Sequence, residues 1–259
     1  MTSANVDLSI PAALLGNPGR ARLVAALLDG RALPASVLAS EAGVAASTAS
    51  EHLAKLCDAN LLRVEPHGRH RYYRIASPQV AQAVEALAHI APAVPVSSLR
   101  QHTRAHALRR GRLCYDHLAG RLGVTVMRAL IDGGALDGGD GLHHPDQAAT
   151  DRLSAPGHDV DYRLTDIGIE VFTGLGVDLD VAAARPRPLI RYCLDWTEQR
   201  HHLAGALGAA LAERLLTLRW LERTAQPRVV RLTATGAHEL PAALRVEPET
   251  WRRALELSM

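Results

Sequence analysis

One internal echo limits what this 259-residue chain can build more than any other feature does. CYDHLAGRLG begins at Cys114, and CLDWTEQRHHLAGALG begins at Cys193. The likeness continues, because Leu118 to Leu136 parallels Leu203 to Leu221, and RLTDIG at Arg163 parallels RLTATG at Arg231. A duplicated unit of this size must fold the same way twice. The spacing predicts in each copy a long apolar helix, a strand ending in Arg-Leu-Thr, and a short closing helix near Gly168 or Gly236. The helix Leu118 to Leu130 is apolar on nearly every side, with Gly120 and Gly123 where a neighbour can approach closely, so burial is expected. The copies should pack on each other about a pseudo-two-fold axis as one C-terminal domain.

The first ninety residues carry a different pattern. Ala13 to Leu28 has apolar residues at helical spacing, with Gly30 behind it as a stop. In LPASVLASEAGVAASTASEHLAKLCDANLL, Pro34 suits a first helical turn, and Val37, Leu38 and Ala42 give a short helix with one buried face. Gly43 turns the chain and Val44 anchors the turn. A second helix then opens at Ala46 or Ser47, with Ala49, Leu53 and Leu56 inward and Ser47, Thr48, Ser50, Glu51, His52 and Lys55 outward. Two short helices about a Gly turn are a helix-turn-helix, whose second helix enters the major groove. Short hydroxyl side chains allow close approach, while His52 and Lys55 reach further. Leu61 to Val64 reads as a strand, EPHGRHR as a tight loop about Gly68, and Arg71 to Ile75 as the returning strand. That hairpin is a wing, with Arg69, His70 and Arg71 at its tip for phosphates or the minor groove.

Charge adds little to this. The 29 basic and 27 acidic residues leave a net +2, so attraction to a polyanion must be local. Lys55 is the one lysine, and Arg is abundant together with Ala, which marks a GC-rich coding bias more than phosphate binding. Three cysteines far apart in sequence suit free thiols in a reducing cytoplasm better than a disulfide framework. No apolar run approaches the ~18 residues of a membrane span, and no membrane partner is expected.

Residues 13 to 90 resemble the arsenic-repressor-like (ArsR) family of bacterial transcription regulators, through GNPGRARLVAALLDG, LASEAGVAASTASEHLAKLCDANLL and EPHGRHRYYRIAS. The resemblance implies a homodimeric repressor on a two-fold symmetric double-stranded DNA operator, switched by an effector. Metal-sensing members often carry a Cys-x-Cys pair before the recognition helix, or Asp and His ligands on the last helix of the domain. Here Ala and Ser stand at the first place, and Pro78 to Ile90 offers only Glu85 and His89. Dimer surfaces carried over from the family are Ala13 to Leu28 and Val80 to Ile90.

The expected fold is thus mainly α with small β hairpins: a winged helix-turn-helix over residues 1–92, a connector helix over 93–113, and a C-terminal effector domain over 114–259. Its repeats span about 114–180 and 193–246, and each looks like a degenerate relative of the winged helix, resembling its back half, that should not read DNA. Pro92 to Val96 reads as a hinge, and the Arg-rich segment from Ser97 as a solvated face or a connector along DNA. The long connection Asp132 to Asp161 reads as a mobile loop, in which His143 and His144 form only a solvated pair.

The heads of the repeats are where chemistry concentrates. Cys114 and His117, three apart, are expected on one helix face with Asp116 beside them, and Asp195 with Glu198 has capping-box spacing, so a helix is expected to begin at Asp195. If the heads converge, Cys114, His117, Cys193 and a histidine such as His202 would suit zinc, copper(I) or a metalloid. Alternatively, Tyr115, Trp196, His201 and Tyr192 line a pocket for a small organic effector, or the residues are simply packing. A rival enzyme with Cys114 as nucleophile and His117 or His202 as base needs only hydrogen-bond reach. No Gly-rich phosphate loop, nucleophile elbow or His-Glu-x-x-His motif accompanies it, so no enzyme is expected.

Overall fold

A computed structural model of the protein describes residues 6–67, 70–92, 99–144 and 160–256, in two units, Met1–Ile90 and Ala91–Met259. The first unit runs α1 (Ser9–Leu15), α2 (Pro18–Ala26), β1 (Leu33–Pro34), α3 (Ala35–Ala42), α4 (Ala46–Asp58), β2 (Leu62–His67), β3 (His70–Ile75) and α5 (Pro78–Ile90). The single helix expected from Ala13 to Leu28 is instead two. Asn17 breaks it: its side chain accepts from the Arg20 N–H at 3.1 Å, and Pro18 takes the first helical position. A side-chain acceptor followed by proline is a helix start, which overrides the continuous apolar spacing.

Gly43 closes α3 in the left-handed region (φ 64°), its N–H returned to the Ala39 and Ser40 carbonyls. The chain then enters α4, where Ala49, Leu53 and Leu56 are fully buried at helical spacing. The hairpin is longer than the sequence suggested. Glu65, Pro66 and His67 belong to β2, facing Tyr72, Arg71 and His70 of β3, so the connection shrinks to residues 68 and 69, outside the described residues. A third strand also joins. Pro34 is not in a helical turn but pairs with Tyr72, giving the order β1-β3-β2.

The second unit opens with α6 (Leu99–Arg110), so the connector helix ends before Arg112; residues 93–98, which include all of the expected hinge Pro92 to Val96 except Pro92, lie outside the described residues. There follow β4 (Arg112–Cys114), β5 (His117–Ala119), α7 (Gly120–Asp132), β6 (Leu136–Asp137), β7 (Arg163–Leu164), α8 (Asp166–Gly174) and α9 (Leu179–Ala183). Then come β8 (Arg191–Leu194), β9 (His201–Ala204), α10 (Gly205–Thr217), β10 (Leu221–Arg223), β11 (Val230–Leu232), α11 (Ala234–Ala243) and α12 (Pro248–Glu256). Strand, strand, helix, strand, strand, helix, helix thus occurs twice in the same order. Residues 145–159 of the long connection lie outside the described residues.

The repeated words have local physical reasons. Gly120 and Gly205 begin the apolar helices with φ of +72° and +77°, and a Cβ at either would stand 2.8 Å from a backbone carbonyl oxygen. The threonine of each Arg-Leu-Thr caps the next helix: Thr165 Oγ1 accepts from Gly168 N–H at 3.1 Å, and Thr233 Oγ1 from Gly236 N–H at 3.0 Å.

The two halves exchange contacts. Helix α7 packs on β9, and α10 packs on β5. The His201 N–H donates to the Gly141 carbonyl at 3.0 Å, while Val230 N–H donates to the Gly111 carbonyl at 3.1 Å and Leu113 N–H to that of Arg228 at 2.9 Å. Each half therefore extends the head hairpin of the other, and one apolar core draws Met127 and Phe172 from the first half with Leu207, Leu240 and Trp251 from the second. No helix among the described residues is long and apolar enough to cross a membrane.

Candidate nucleic-acid interface and a buried cysteine–histidine cluster

In the first unit, burial of Ala49, Leu53 and Leu56 fixes the rotation of α4, and with it the residues turned to solvent. Ser47, Ser50, Glu51 and Lys55 are exposed and Thr48 is half-buried, while the Ser50 hydroxyl donates back to the Ala46 carbonyl at 3.0 Å. His52 differs from the outward face expected of it. Its ring turns toward α2, with Nε2 3.0 Å from where a Cβ on Gly19 would sit, and its Nδ1 is buried without a hydrogen-bond partner. Arg71 is exposed on β3, His70 lies in the strand, and Arg69 falls outside the described residues. Most other arginines here serve their own backbone. Arg20 donates to the Leu14 and Ala13 carbonyls, Arg22 to that of Ala42, and Arg74 to that of Gly30 and to Glu65.

The second unit brings Cys114, His117, Cys193 and His202 together, with one candidate ligand atom from each lying within 4.8 Å of the others. The route differs from the expected helix face. Cys114 and His117 are Cα partners across the β4–β5 hairpin, and Cys193 and His202 are Cα partners across β8–β9. No helix begins at Asp195. That residue opens the turn between β8 and β9, its Oδ1 accepting from the N–H groups of Thr197 (2.9 Å) and Glu198 (3.1 Å) and from the Thr197 hydroxyl (2.6 Å). The capping-box spacing marked a capped turn, because the chain must reverse to pair β9 with β8.

The imidazoles of His117 and His202 stack with centroids 5.2 Å apart. Glycines permit this approach: a Cβ on Gly123 of α7 would lie 3.5 Å from His202 Cβ and 2.5 Å from the Leu118 carbonyl oxygen, and one on Gly208 of α10 would lie 3.3 Å from His117 Cβ and 2.5 Å from that of Leu203. Each helix thus makes room for the histidine of the other half.

A carboxylate backed by a guanidinium stands behind each histidine. Asp116 Oδ1 is 3.2 Å from His117 Nδ1, and its Oδ2 accepts from Arg187 at 2.7 Å. Asp195 Oδ2 lies 3.7 Å from His202 Nδ1 and accepts from Arg112 at 2.9 Å and from the Gly120 N–H at 2.6 Å. Burial would raise the Asp195 carboxyl, but the Arg112 guanidinium, with His202 and these donors, holds it well below the usual carboxylate range. Burial disfavours the charged form of His117, yet the charge of Cys114 and the Asp116 carboxylate outweigh it, so its pKa is pushed up to about 10. The Nε2 of His117 is buried without a hydrogen-bond partner.

The remaining residues expected at this site lie in the same two hairpins. Tyr115 sits in the first turn with φ +61°, Trp196 lies under the Arg112 guanidinium at 4.4 Å, and His201 Nδ1 meets the Tyr162 hydroxyl at 2.8 Å while its ring stacks on Tyr192. The cavity beside His201, Gly141 and Arg200 measures about 10 Å³, the size of one water. His144 bonds Asp140 at 2.7 Å. Sequence reading marked Gly123 as a place of close approach but missed Arg112, Arg187 and Gly208 as supporting residues. The aligned words HLAGRLG and HLAGALG carried the signal for both glycines, whereas nothing local marks the arginines.

A helix-turn-helix domain family model matches residues 15–65. The chain is 38% identical over 232 residues to the HTH-type transcriptional regulator YdfF of Bacillus subtilis, covering 90% of this chain and 94% of that protein. Among solved structures it matches the transcriptional repressor BigR from Xylella fastidiosa (25% identity, TM-score 0.31, 34% of this chain and 88% of that one). It also matches the cadmium metal-sensor CMTR from Mycobacterium tuberculosis (32% identity, TM-score 0.29, 35% of this chain and 94% of that one).

Proposed function

The chain belongs to the HTH-type transcriptional regulators, and we propose that it is a repressor of the ArsR type that binds a two-fold symmetric operator as a homodimer in the cytoplasm, under the control of its C-terminal unit. The outward face of α4 carries this reading: Ser47, Ser50, Glu51 and Lys55 project from a helix whose other side is locked by Ala49, Leu53 and Leu56, with the β2–β3 hairpin following it. Hydroxyls and an ammonium on a rigid helix suit base edges and phosphates. Apolar side chains left uncovered at α1 and α5, Leu8 and Ile10 with Leu87 and Ile90, support a second copy as partner. The recurring element order supports two degenerate winged-helix-like repeats in the second unit, which receive a signal and do not read DNA. Binding, with no catalytic step, is the activity proposed.

Selection of binding sites from random double-stranded DNA tests this. Enrichment of a palindrome with half-sites about one helical turn apart is expected; a pool without any enriched sequence would overturn the assignment.

A further inference from the structure

The geometry points to a zinc site: we infer that Cys114 and His117 of the β4–β5 hairpin, with Cys193 and His202 of the β8–β9 hairpin, bind one Zn²⁺ per chain and so fasten the two halves of the second unit together. This goes beyond the DNA-binding role and stands apart from it, since metal content and operator binding are read separately.

Four donors, two sulfurs and two imidazole nitrogens, are the set a closed tetrahedral zinc site uses, and the site offers no hard oxygen cage for Mg²⁺ or Ca²⁺. Bond lengths of about 2.3 Å to sulfur and 2.0 Å to nitrogen place tetrahedral ligand atoms about 3.3–3.8 Å apart. The observed 4.8 Å limit therefore needs a contraction of at most about 1–1.5 Å, within the reach of side-chain rotation.

Three further observations point to a ligand. Cys114, His117 and His202 are all buried, with relative exposures of 4%, 7% and 1%. The Nε2 of His117 is buried without a hydrogen-bond partner, while Nδ1 of the same ring is oriented by Asp116, the arrangement in which a carboxylate fixes the tautomer and the other nitrogen takes a metal. A second carboxylate, Asp195, stands behind His202. Binding releases two protons to solvent, one from each cysteine–histidine pair; two Zn–S bonds form, the ion accepts a lone pair from each imidazole in its neutral form, and no electron is transferred.

The test uses the full chain, purified without chelator. Elemental analysis should find one zinc per chain. After chelator stripping under reducing conditions, Co²⁺ as probe should produce a thiolate-to-cobalt charge-transfer band and the visible bands of a tetrahedral ion. Cys114→Ser and Cys193→Ser should each remove about half the charge-transfer intensity and weaken binding by at least about 100-fold, whereas Cys57→Ser, in the other unit, should change neither. Should the two variants fail to fold, titration of the wild-type thiols with a mercurial in the presence of a zinc indicator answers the question, with one zinc released as two protected thiols react. A metal-free chain whose stripped form gives no charge-transfer band with Co²⁺, a band unchanged in both variants, or a Cys114–Cys193 disulfide in freshly isolated protein would each overturn the site.

Discussion

Arg112 and Asp195, 83 residues apart, form a 2.9 Å ion pair with both side chains fully buried. A charge taken out of water in this way is tolerated only while its partner is present. Asp195→Asn should therefore cost about 3–5 kcal/mol in denaturant unfolding of the full chain, because Arg112 is left uncompensated. The double variant Arg112→Met with Asp195→Leu should recover much of that loss. Equal losses in the single and double variants would show that the pair is not what holds the hairpins.

The same residue sets a pH dependence. The Asp195 pKa is depressed in the folded chain, so its contribution to stability is present above the unfolded value of about 3.9 and is lost as pH falls through the folded value. For metal-free protein, His117 works in the opposite sense: its raised pKa gives a contribution complete below about 6.5 and lost as pH rises through about 10. Unfolding midpoints across pH for wild type, Asp195→Asn and metal-free His117→Gln check both signs, the variants losing the acid and alkaline slopes respectively.

Glycines in helices offer a contrast of sign. Gly208→Ala places a Cβ 2.5 Å from the Leu203 carbonyl oxygen, so it should destabilise by about 1–3 kcal/mol in spite of alanine's better helix propensity. Gly174, the last residue of α8, would place its Cβ in open space, and Gly174→Ala should stabilise by roughly 0.5–1 kcal/mol. Thermal unfolding of the two variants should move in opposite directions.

DNA binding should separate positioning from reading. Lys55→Ala and Arg71→Ala should weaken all duplexes alike and each reduce the salt slope by about 1, because both act through phosphates. Ser47→Ala should change which sequence is preferred. Fluorescence anisotropy against salt on specific and scrambled duplexes measures each effect, and a Lys55→Ala variant with an unchanged salt slope would place the phosphate contacts elsewhere.

Association should depend on the uncovered apolar residues of α5. Leu87→Glu with Ile90→Glu is expected to halve the mass in sedimentation equilibrium and to remove operator binding, while Val181→Glu, an exposed apolar residue of the second unit, should leave both unchanged.

What the sequence determined by itself is local. Gly43 between two short amphipathic helices, the inward Ala49, Leu53 and Leu56, and the strand residues on either side of Gly68 are periodicity and turn signals that act over a few residues. They placed α3, α4 and the wing. The words HLAGRLG and HLAGALG, and the two Arg-Leu-Thr caps, likewise announced that one order of elements would occur twice. Tertiary structure decided the rest, because it depends on pairings between distant segments. Cys114 and His117 are neighbours across a two-stranded turn, which a three-residue spacing cannot distinguish from a helix face. Asp195 caps a turn because β9 must return along β8, and only the exchange of Gly141 onto His201 and of Val230 onto Gly111 brings two hairpins from distant parts of the chain to one cluster.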